Sequence, residues 1–463
     1  MKPSTLGELR DSGYQPQTVK AEMRKNLIQK MRKGDDIFPG IIGYEETVIP
    51  QIENAILSGQ DIVFLGERGQ AKTRIARSLI NLLDAEVPVI TGSDLNDDPM
   101  KPISARGKQI VAEQGDATPV EWLSRDRRYG EKLATPDITI SDLIGEVDPI
   151  KVAEGRYLSD ELTIHYGLIP RTNRGIFALN ELPDLAERIQ VGLLNIMEER
   201  DVQIRGYKIR LDLDVFVVAS ANPEDYTNRG RIVTPLKDRF GSEIRTHYPR
   251  TVEHEINIIE QESTHYSNDG IEVLVPRFMK EIVAEVTHLA RRSPDISQRS
   301  GVSVRVSVSN YENLLSNSVR RAIRLGEKVA APRISDLHAI VTSTAGKIEL
   351  ETMGDSKEDR VIEKLVNAAI STTWSRYFNA GEFEQLIRGF DSGLNMEASE
   401  LMPAMEYVHQ ASEVAELKKA VSNLNAQGSP VTVASAIEFI LEGLHLNRKL
   451  NKDKTEGKAR YRR

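Results

Sequence analysis

Between Ile37 and about Arg250, short apolar runs alternate with helical stretches. DIVFL (61–65), PVI (88–90), GIFALN (175–180), VFVVASAN (215–222) and EIRTHY (243–248) read as strands, four of the five rich in β-branched or aromatic residues and all bounded by turns. Strands alternating with helices predict an α/β core, a parallel sheet with helices on both faces, over residues 37–250. Ahead of it, residues 1–36 are polar, with a helix expected around VKAEMRKNLIQKMRKGDD and a stop near Gly34. After Pro249 the strand signals fade. Residues 251–353 read as an all-helical lid and 354–449 as a C-terminal helical module. In the second, VTVASAIEFILEGL puts Val433, Ile437, Ile440, Leu441 and Leu444 on one core-facing stripe. The tail, 450–463, is basic and poor in apolar residues; it is expected to be mobile, and solvation is favoured there over contact with an acidic partner.

Composition narrows the function. The chain has 463 residues, 40% apolar and 28% charged, as in soluble globular proteins, and its length allows roughly three domains. No apolar run approaches the ~20 residues that span a bilayer, and MKPSTLGELRDSGYQ lacks a secretory apolar core, so a cytoplasmic location without membrane insertion is expected. There are no cysteines, and the eight histidines form no H-E-x-x-H or H-x-H cluster, which argues against a protein-built transition-metal site. A net charge of −8 argues weakly against a general nucleic-acid binder.

Candidate chemistry centres on FLGERGQAKTRIARSLINLL, Phe64 to Leu83: an apolar strand, a glycine-bearing turn, a Lys-Thr pair and a helix. A phosphate loop is written G-x-x-x-x-G-K-[ST]. Gly66, Lys72 and Thr73 fall in register, and Ala71 stands at the second glycine. Backbone N–H groups of Gly66, Glu67, Arg68, Gly69, Gln70, Ala71 and Arg74 would surround phosphates. Lys72 would reach the β- and γ-phosphates and Thr73 would ligate Mg2+. Ala71 is expected to be tolerated because the loop is already entering helix there.

Further signals follow in order. GIFALNEL ends in Asn180 and Glu181 at the carboxyl edge of the sheet, where ligands of open α/β sheets collect. Glu181 is a candidate for orienting or deprotonating an attacking water. Asn180 stands where an acid usually helps to hold Mg2+; its amide keeps an acceptor oxygen but lacks the charge, so weaker Mg2+ binding or slower turnover is expected. VFVVASANPEDY ends in Asn222, a candidate partner for the γ-phosphate or the water, or simply a turn residue. Downstream, Asp238-Arg239 and then Arg305 offer charges that could complete a nucleotide site, although either arginine alone is most often a surface residue.

These residues resemble the AAA+ ATPases, specifically the branch holding the MoxR ATPases and the I subunit of magnesium chelatase, over about Phe38 to Gly346. FPGIIGYEETVIPQIENAIL is similar to that family's lead-in segment bordering the adenine, which implicates Ile42. GxxGxAKT, with Ala before Lys, is common among MoxR proteins. Gly167-Leu168-Ile169 and Asn173-Arg174-Gly175 reproduce the run that leads from an inserted hairpin into the acid-ended strand, and Arg205-Gly206-Tyr207 fall near a second hairpin tip. The resemblance implies ATP and Mg2+ as cofactors, Glu181 as hydrolytic base, Asn222 as first sensor, Arg239 as a finger acting across a subunit interface, and Arg305 as second sensor on a helical lid (251–353). The region after about Gly354 has no counterpart in the chelatase subunit and reads as an added helical module.

The resemblance also implies a homo-oligomeric ring, commonly of six, and a partner with a von Willebrand A-type domain. Three functions stay open: a MoxR-like motor that remodels a partner or helps load its metal or cofactor; the ATPase subunit of a magnesium or cobalt chelatase; and a slowly hydrolysing nucleotide-dependent scaffold. A bacterial enhancer-binding activator is disfavoured, because no GAFTGA-like loop occurs.

Overall fold

The computed structural model describes residues 2–148, 150, 161–198, 202–204, 207–209, 211–223, 231–264, 270–351, 355–412, 414–455 and 458–463. They form two compact units, Met1–His247 and Tyr248–Arg463. Arg205 and Gly206, at the expected hairpin tip, lie outside the described residues.

In the first unit, β1 (Ile62–Leu65), β2 (Tyr129–Leu133), β3 (Gly175–Asn180), β4 (Val215–Ala221) and β5 (Ser242–Arg245) make a five-stranded parallel sheet in the order β5-β1-β4-β3-β2. The two-residue period of the strands sorts their side chains. Ile62, Phe64, Ile176, Ala178, Phe216 and Val218 pack with α1 (Val19–Lys33), α2 (Val48–Leu57) and α3 (Lys72–Ser78). Val63, Leu65, Phe177, Leu179 and Ala219 pack on the other side with α4 (Glu187–Glu198) and α5 (Thr234–Arg239). Helices therefore cover both faces.

One strand expectation needs correction, and one strand of the sheet was not read. PVI lies in Glu86–Ile90, which pairs antiparallel with Val120–Ser124 outside the main sheet. Pro88 has no N–H for an interior ladder. The vacant edge is taken by β2, YGEKL, whose glycine and two charges gave no apolar signal; an edge strand tolerates such residues. The N-terminal segment is likewise not separate. Thr18 caps α1 and Gly34 ends it in the left-handed conformation. Val19, Met23 and Leu27 of that helix join the core, and Glu22 forms a fully buried two-pronged pair with Arg128 at 2.8 and 2.6 Å.

Asn173-Arg174-Gly175 is a structural staple. Arg174 donates to the Pro88 carbonyl (2.7 Å) and the Tyr14 hydroxyl (2.9 Å) and pairs with Asp98 at 3.0 Å. Asn173 donates to the Leu95 carbonyl and accepts from the Asp214 N–H. A Cβ on Gly175 would lie 2.0 Å from the Arg128 carbonyl oxygen, so only glycine fits there.

The second unit is built on α6 (Val252–Glu262), α7 (Arg277–Ala290), α8 (Val304–Leu325), α9 (Asp355–Tyr377) and α10 (Pro430–Leu446). One hydrophobic core runs from Ile256 to Tyr461, so the two helical regions expected at 251–353 and 354–449 share an interior. The C-terminal part is helical as expected but also carries a small sheet, and the tail, expected to be mobile, is structured. β6 (Met396–Ser399), β7 (Asn451–Thr455) and β8 (Lys458–Arg462) form an antiparallel sheet in the order β6-β8-β7. The reason lies in α10, which is buried nearly all round, charges included. Its Glu442 accepts from Lys452 Nζ (2.6 Å) and the Tyr461 hydroxyl (2.5 Å), anchoring both tail strands. Elsewhere in this unit the fully buried Glu255 accepts from Arg291 at 2.8 and 3.1 Å and from Ser307 at 2.6 Å, with His288 3.4 Å away.

Candidate functional site

Three strand ends of the first unit and the loop Gly66–Ala71 meet at the carboxyl edge of the sheet. Gly66 leaves β1 through a crowded point: a Cβ there would lie 1.9 Å from Thr246 Oγ1 and 2.3 Å from Gln70 Oε1. Those atoms hydrogen-bond to each other at 2.7 Å, and the Tyr44 hydroxyl donates to the Gln70 carbonyl (3.0 Å) and the His247 carbonyl (2.6 Å). The Gln70 side chain and carbonyl are therefore committed to the scaffold, leaving the backbone N–H as the group for a ligand. Ile42, half-buried, precedes the Tyr44 anchor by two residues. Glu67 is half-buried, while Arg68 and Arg74 are exposed.

Ala71 corrects an expectation. It sits at φ 57° and ψ 12°, left-handed rather than helical, and α3 begins only at Lys72. The methyl group is tolerated at a conformational cost, which explains the glycine of the general motif. Gly69 is also left-handed, at φ 76°.

Lys72 turns back over the loop. Its Nζ donates to the carbonyls of Gly66 and Glu67 (2.8 Å to the latter) and to Asn222 Oδ1 at 2.8 Å. Thr73 Oγ1 faces Asn180 Oδ1 at 3.5 Å, too long for a strong hydrogen bond. Asn180 Nδ2 donates to Glu131 Oε1 at 2.7 Å, and Asn180 Oδ1 accepts from Ser220 Oγ at 3.3 Å. Because a carboxylate only accepts, Glu131 fixes which way the amide points: its NH2 toward Glu131, its oxygen toward Thr73. Glu131 is also held by Arg77 through bonds of 2.7 and 3.0 Å. This pairing holds the Arg77 pKa above its ordinary value. Glu181 follows β3 at φ 57° and ψ 46°, left-handed and half-buried, with its N–H donating to Ser220 Oγ. A non-glycine residue held in that region is a strained point of the kind that gathers at functional sites.

The other two candidate arginines lie on other elements. Arg239, on α5, bonds to Glu198 (3.0 Å from Nε), to Asp238 at 3.5 Å and to the Pro235 carbonyl. The Glu198 partner raises its pKa. Arg305 belongs to the second unit, exposed in the first turn of α8 with its N–H on Ser303 Oγ. Tyr44, Glu131, Ser220 and Thr246 were missed by sequence reasoning. Ser220 and Thr246 fell in strands read as such, and Glu131 is recognisable only once β2 is registered against β3, Leu133 opposite Asn180.

The donor set fits a magnesium ion held largely by nucleotide phosphates. Mg2+ favours oxygen ligands at about 2.1 Å in an octahedron, which sets adjacent oxygens about 3 Å apart. The Thr73 and Asn180 oxygens face each other near that spacing. Among the described residues no group of three or more His, Cys, Asp or Glu side chains is placed to hold a metal ion.

Residues 153–238 match the family described as the Sigma-54 interaction domain, a stretch that takes in β3, β4 and α5. The chain is 27% identical over 248 residues to magnesium-chelatase subunit ChlI-2, chloroplastic, of Arabidopsis thaliana, covering 50% of this chain and 53% of that protein. The chain resembles the AAA+ ATPases of the MoxR and magnesium-chelatase I-subunit branch. It is 24% identical over 259 residues to the ChlI subunit of Mesostigma viride, covering 54% of this chain and 67% of that one. The chain thus spans about half the length of the first curated relatives it matches. A solved complex between subunits BchI and BchD of magnesium chelatase superimposes with a TM-score of 0.37 at 19% identity, covering 71% of this chain and 98% of that one. A superposition at that score is too loose to add to the fold read from the sheet itself. Among the described residues, no helix is long and apolar enough to cross a membrane.

Proposed function

We propose that the AAA+ module binds ATP with Mg2+ and hydrolyses it to drive conformational work on a partner protein. The observation that carries this reading is the convergence of Asn180, at the end of β3, and Asn222, at the end of β4, on Thr73 and Lys72, which open α3 after the loop. In the proposed site the Lys72 ammonium exchanges the Gly66 and Glu67 carbonyls for β- and γ-phosphate oxygens, while the Asn222 amide stays beside it to orient the attacking water. Glu181 accepts that water's proton, and its fixed backbone keeps the carboxylate at the end of β3. Mg2+, when bound, neutralises phosphate charge and aligns the phosphoryl group, with Thr73 and Asn180 holding it.

Charge developing on the transferred group needs a further cation, and Arg239 is proposed to supply it to a neighbouring copy, which makes a homo-oligomeric ring, commonly of six, the working state. The MoxR-like role, remodelling a partner or loading its metal or cofactor with a von Willebrand A-domain protein as partner, is favoured over a chelatase subunit by the C-terminal part beyond about Gly354. The slow scaffold remains the competing reading because of Asn180. The test is isothermal calorimetry of the full chain with Mg·ATP, followed by phosphate release with the partner present. Heat of binding and turnover well above a Glu181→Gln control are expected. Turnover no greater than that control favours the scaffold, and no heat of binding overturns the nucleotide reading.

A further inference from the structure

The weak point of the site is Asn180, which offers an oxygen to a dication but no charge. The neighbouring strand contains what it lacks. Tyr129, Glu131 and Leu133 share one face of β2 by the strand's two-residue period, and Ile176, Ala178 and Asn180 share the corresponding face of β3. Both faces lie under α3, where the four-residue helical repeat stacks Arg77 on the side of Thr73. The result is a chain of contacts: Arg77 on Glu131, Glu131 on the Asn180 amide at 2.7 Å, and the Asn180 oxygen toward Thr73.

We propose that Glu131 is a positioning residue for the metal, restoring through the Asn180 amide the negative charge that a carboxylate at position 180 would supply directly. This rests on the Mg·nucleotide reading of the site. A carboxylate accepting from an amide NH2 polarises that amide and builds electron density on its oxygen, as a carboxylate behind a metal-binding imidazole does. It also locks the amide so that oxygen rather than nitrogen faces the ion. Arg77, whose side chain is 63% exposed, pairs with Glu131 at 2.7 Å and supplies its counter-charge. The charge is thus displaced one residue outward, and Asn180 conducts it.

The experiment is fluorescence titration of a labelled ADP against the full chain, with Mg2+ varied and with EDTA, in wild type, Glu131→Gln, Glu131→Asp, Asn180→Asp and the Glu131→Gln/Asn180→Asp double variant. Glu131→Gln is expected to raise the half-saturating Mg2+ concentration by about 10- to 100-fold, with nucleotide affinity in EDTA unchanged. Asn180→Asp is expected to lower it, the double variant to return close to wild type, and Glu131→Asp to retain most of the wild-type response. A purely structural role would weaken binding equally with and without Mg2+; that result, or a double variant no better than Glu131→Gln, overturns the inference alone. Wild type that binds no nucleotide in either condition overturns the nucleotide reading and the inference with it.

Discussion

Lys72 Nζ lies 2.8 Å from Asn222 Oδ1, joining the phosphate loop to a strand end 150 residues further along the chain. The bond divides labour between the two. Lys72 carries charge that phosphates need, so Lys72→Ala should lower nucleotide affinity by about 10- to 100-fold, the worth of a charge-assisted hydrogen bond. Asn222→Ala removes an orienting amide but no charge. It should leave affinity within about threefold and reduce phosphate release by about 10²- to 10³-fold. Titration of labelled nucleotide beside a phosphate-release assay separates the two, and an Asn222→Ala variant that binds as poorly as Lys72→Ala contradicts this division.

The left-handed backbone at Ala71 gives a stability prediction. An L-residue there costs about 1–2 kcal/mol, while glycine gives back part of that gain, about 0.4–1 kcal/mol, through its freer unfolded chain. Ala71→Gly should therefore stabilise the first unit by about 0.5–1 kcal/mol, read from the urea midpoint, and Ala71→Val should destabilise it. A lower midpoint for Ala71→Gly would mean that the loop does not hold this conformation in solution.

Much of this site was legible because its parts are local. Loop, strand and lysine are contiguous in FLGERGQAKT, and β3 and β4 are apolar enough to announce themselves. What escaped depends on partners distant in sequence. Glu131 matters only because β2 pairs with β3, and YGEKL has no apolar alternation to reveal a strand. The tail KARYR does alternate, but only Ala459 and Tyr461 face inward, and their partner Glu442 lies on a helix that reads as an ordinary apolar stripe. Ala71 was misjudged because composition does not report the sign of φ.

Glu255 in the second unit predicts a specific acid response. Burial pushes its pKa up, but the nearby His288, the charge and hydrogen bonds of Arg291 and the Ser307 hydroxyl outweigh that and hold it below the ordinary 4.5. With the folded pKa below the unfolded one, the unfolded chain binds more protons between the two values, so stability rises with pH across that window. The contribution is complete above about pH 4.5 and is lost as pH falls through the lowered folded value. Buried Asp336 and Glu438 shift upward, mainly by desolvation, and act with the opposite sign, so the readout is the difference from Glu255→Gln. That variant leaves Arg291 without its counter-charge and should cost about 3 kcal/mol at neutral pH. The gap in urea midpoint should narrow below pH 4.5; a gap constant down to about pH 3 would contradict the lowered pKa.

Arg239 tests whether sites are shared between copies. Its bonds go to Glu198, Asp238 and the Pro235 carbonyl, and its side chain keeps 29% of its surface exposed on α5. An arginine that completes a neighbour's site must exchange Glu198 for phosphate charge, and losing it should cost about 10³-fold or more in phosphate release. Arg239→Ala subunits keep Glu181, and Glu181→Gln subunits keep Arg239. In an equal, randomly mixed ring with head-to-tail contacts, about a quarter of the interfaces join an intact Glu181 to an intact Arg239. Mixing two inactive preparations should therefore restore a measurable fraction of wild-type phosphate release, provided the subunits are mixed before assembly. If every mixing ratio stays at the level of the parents while size-exclusion chromatography shows mixed rings, Arg239 does not act across the interface.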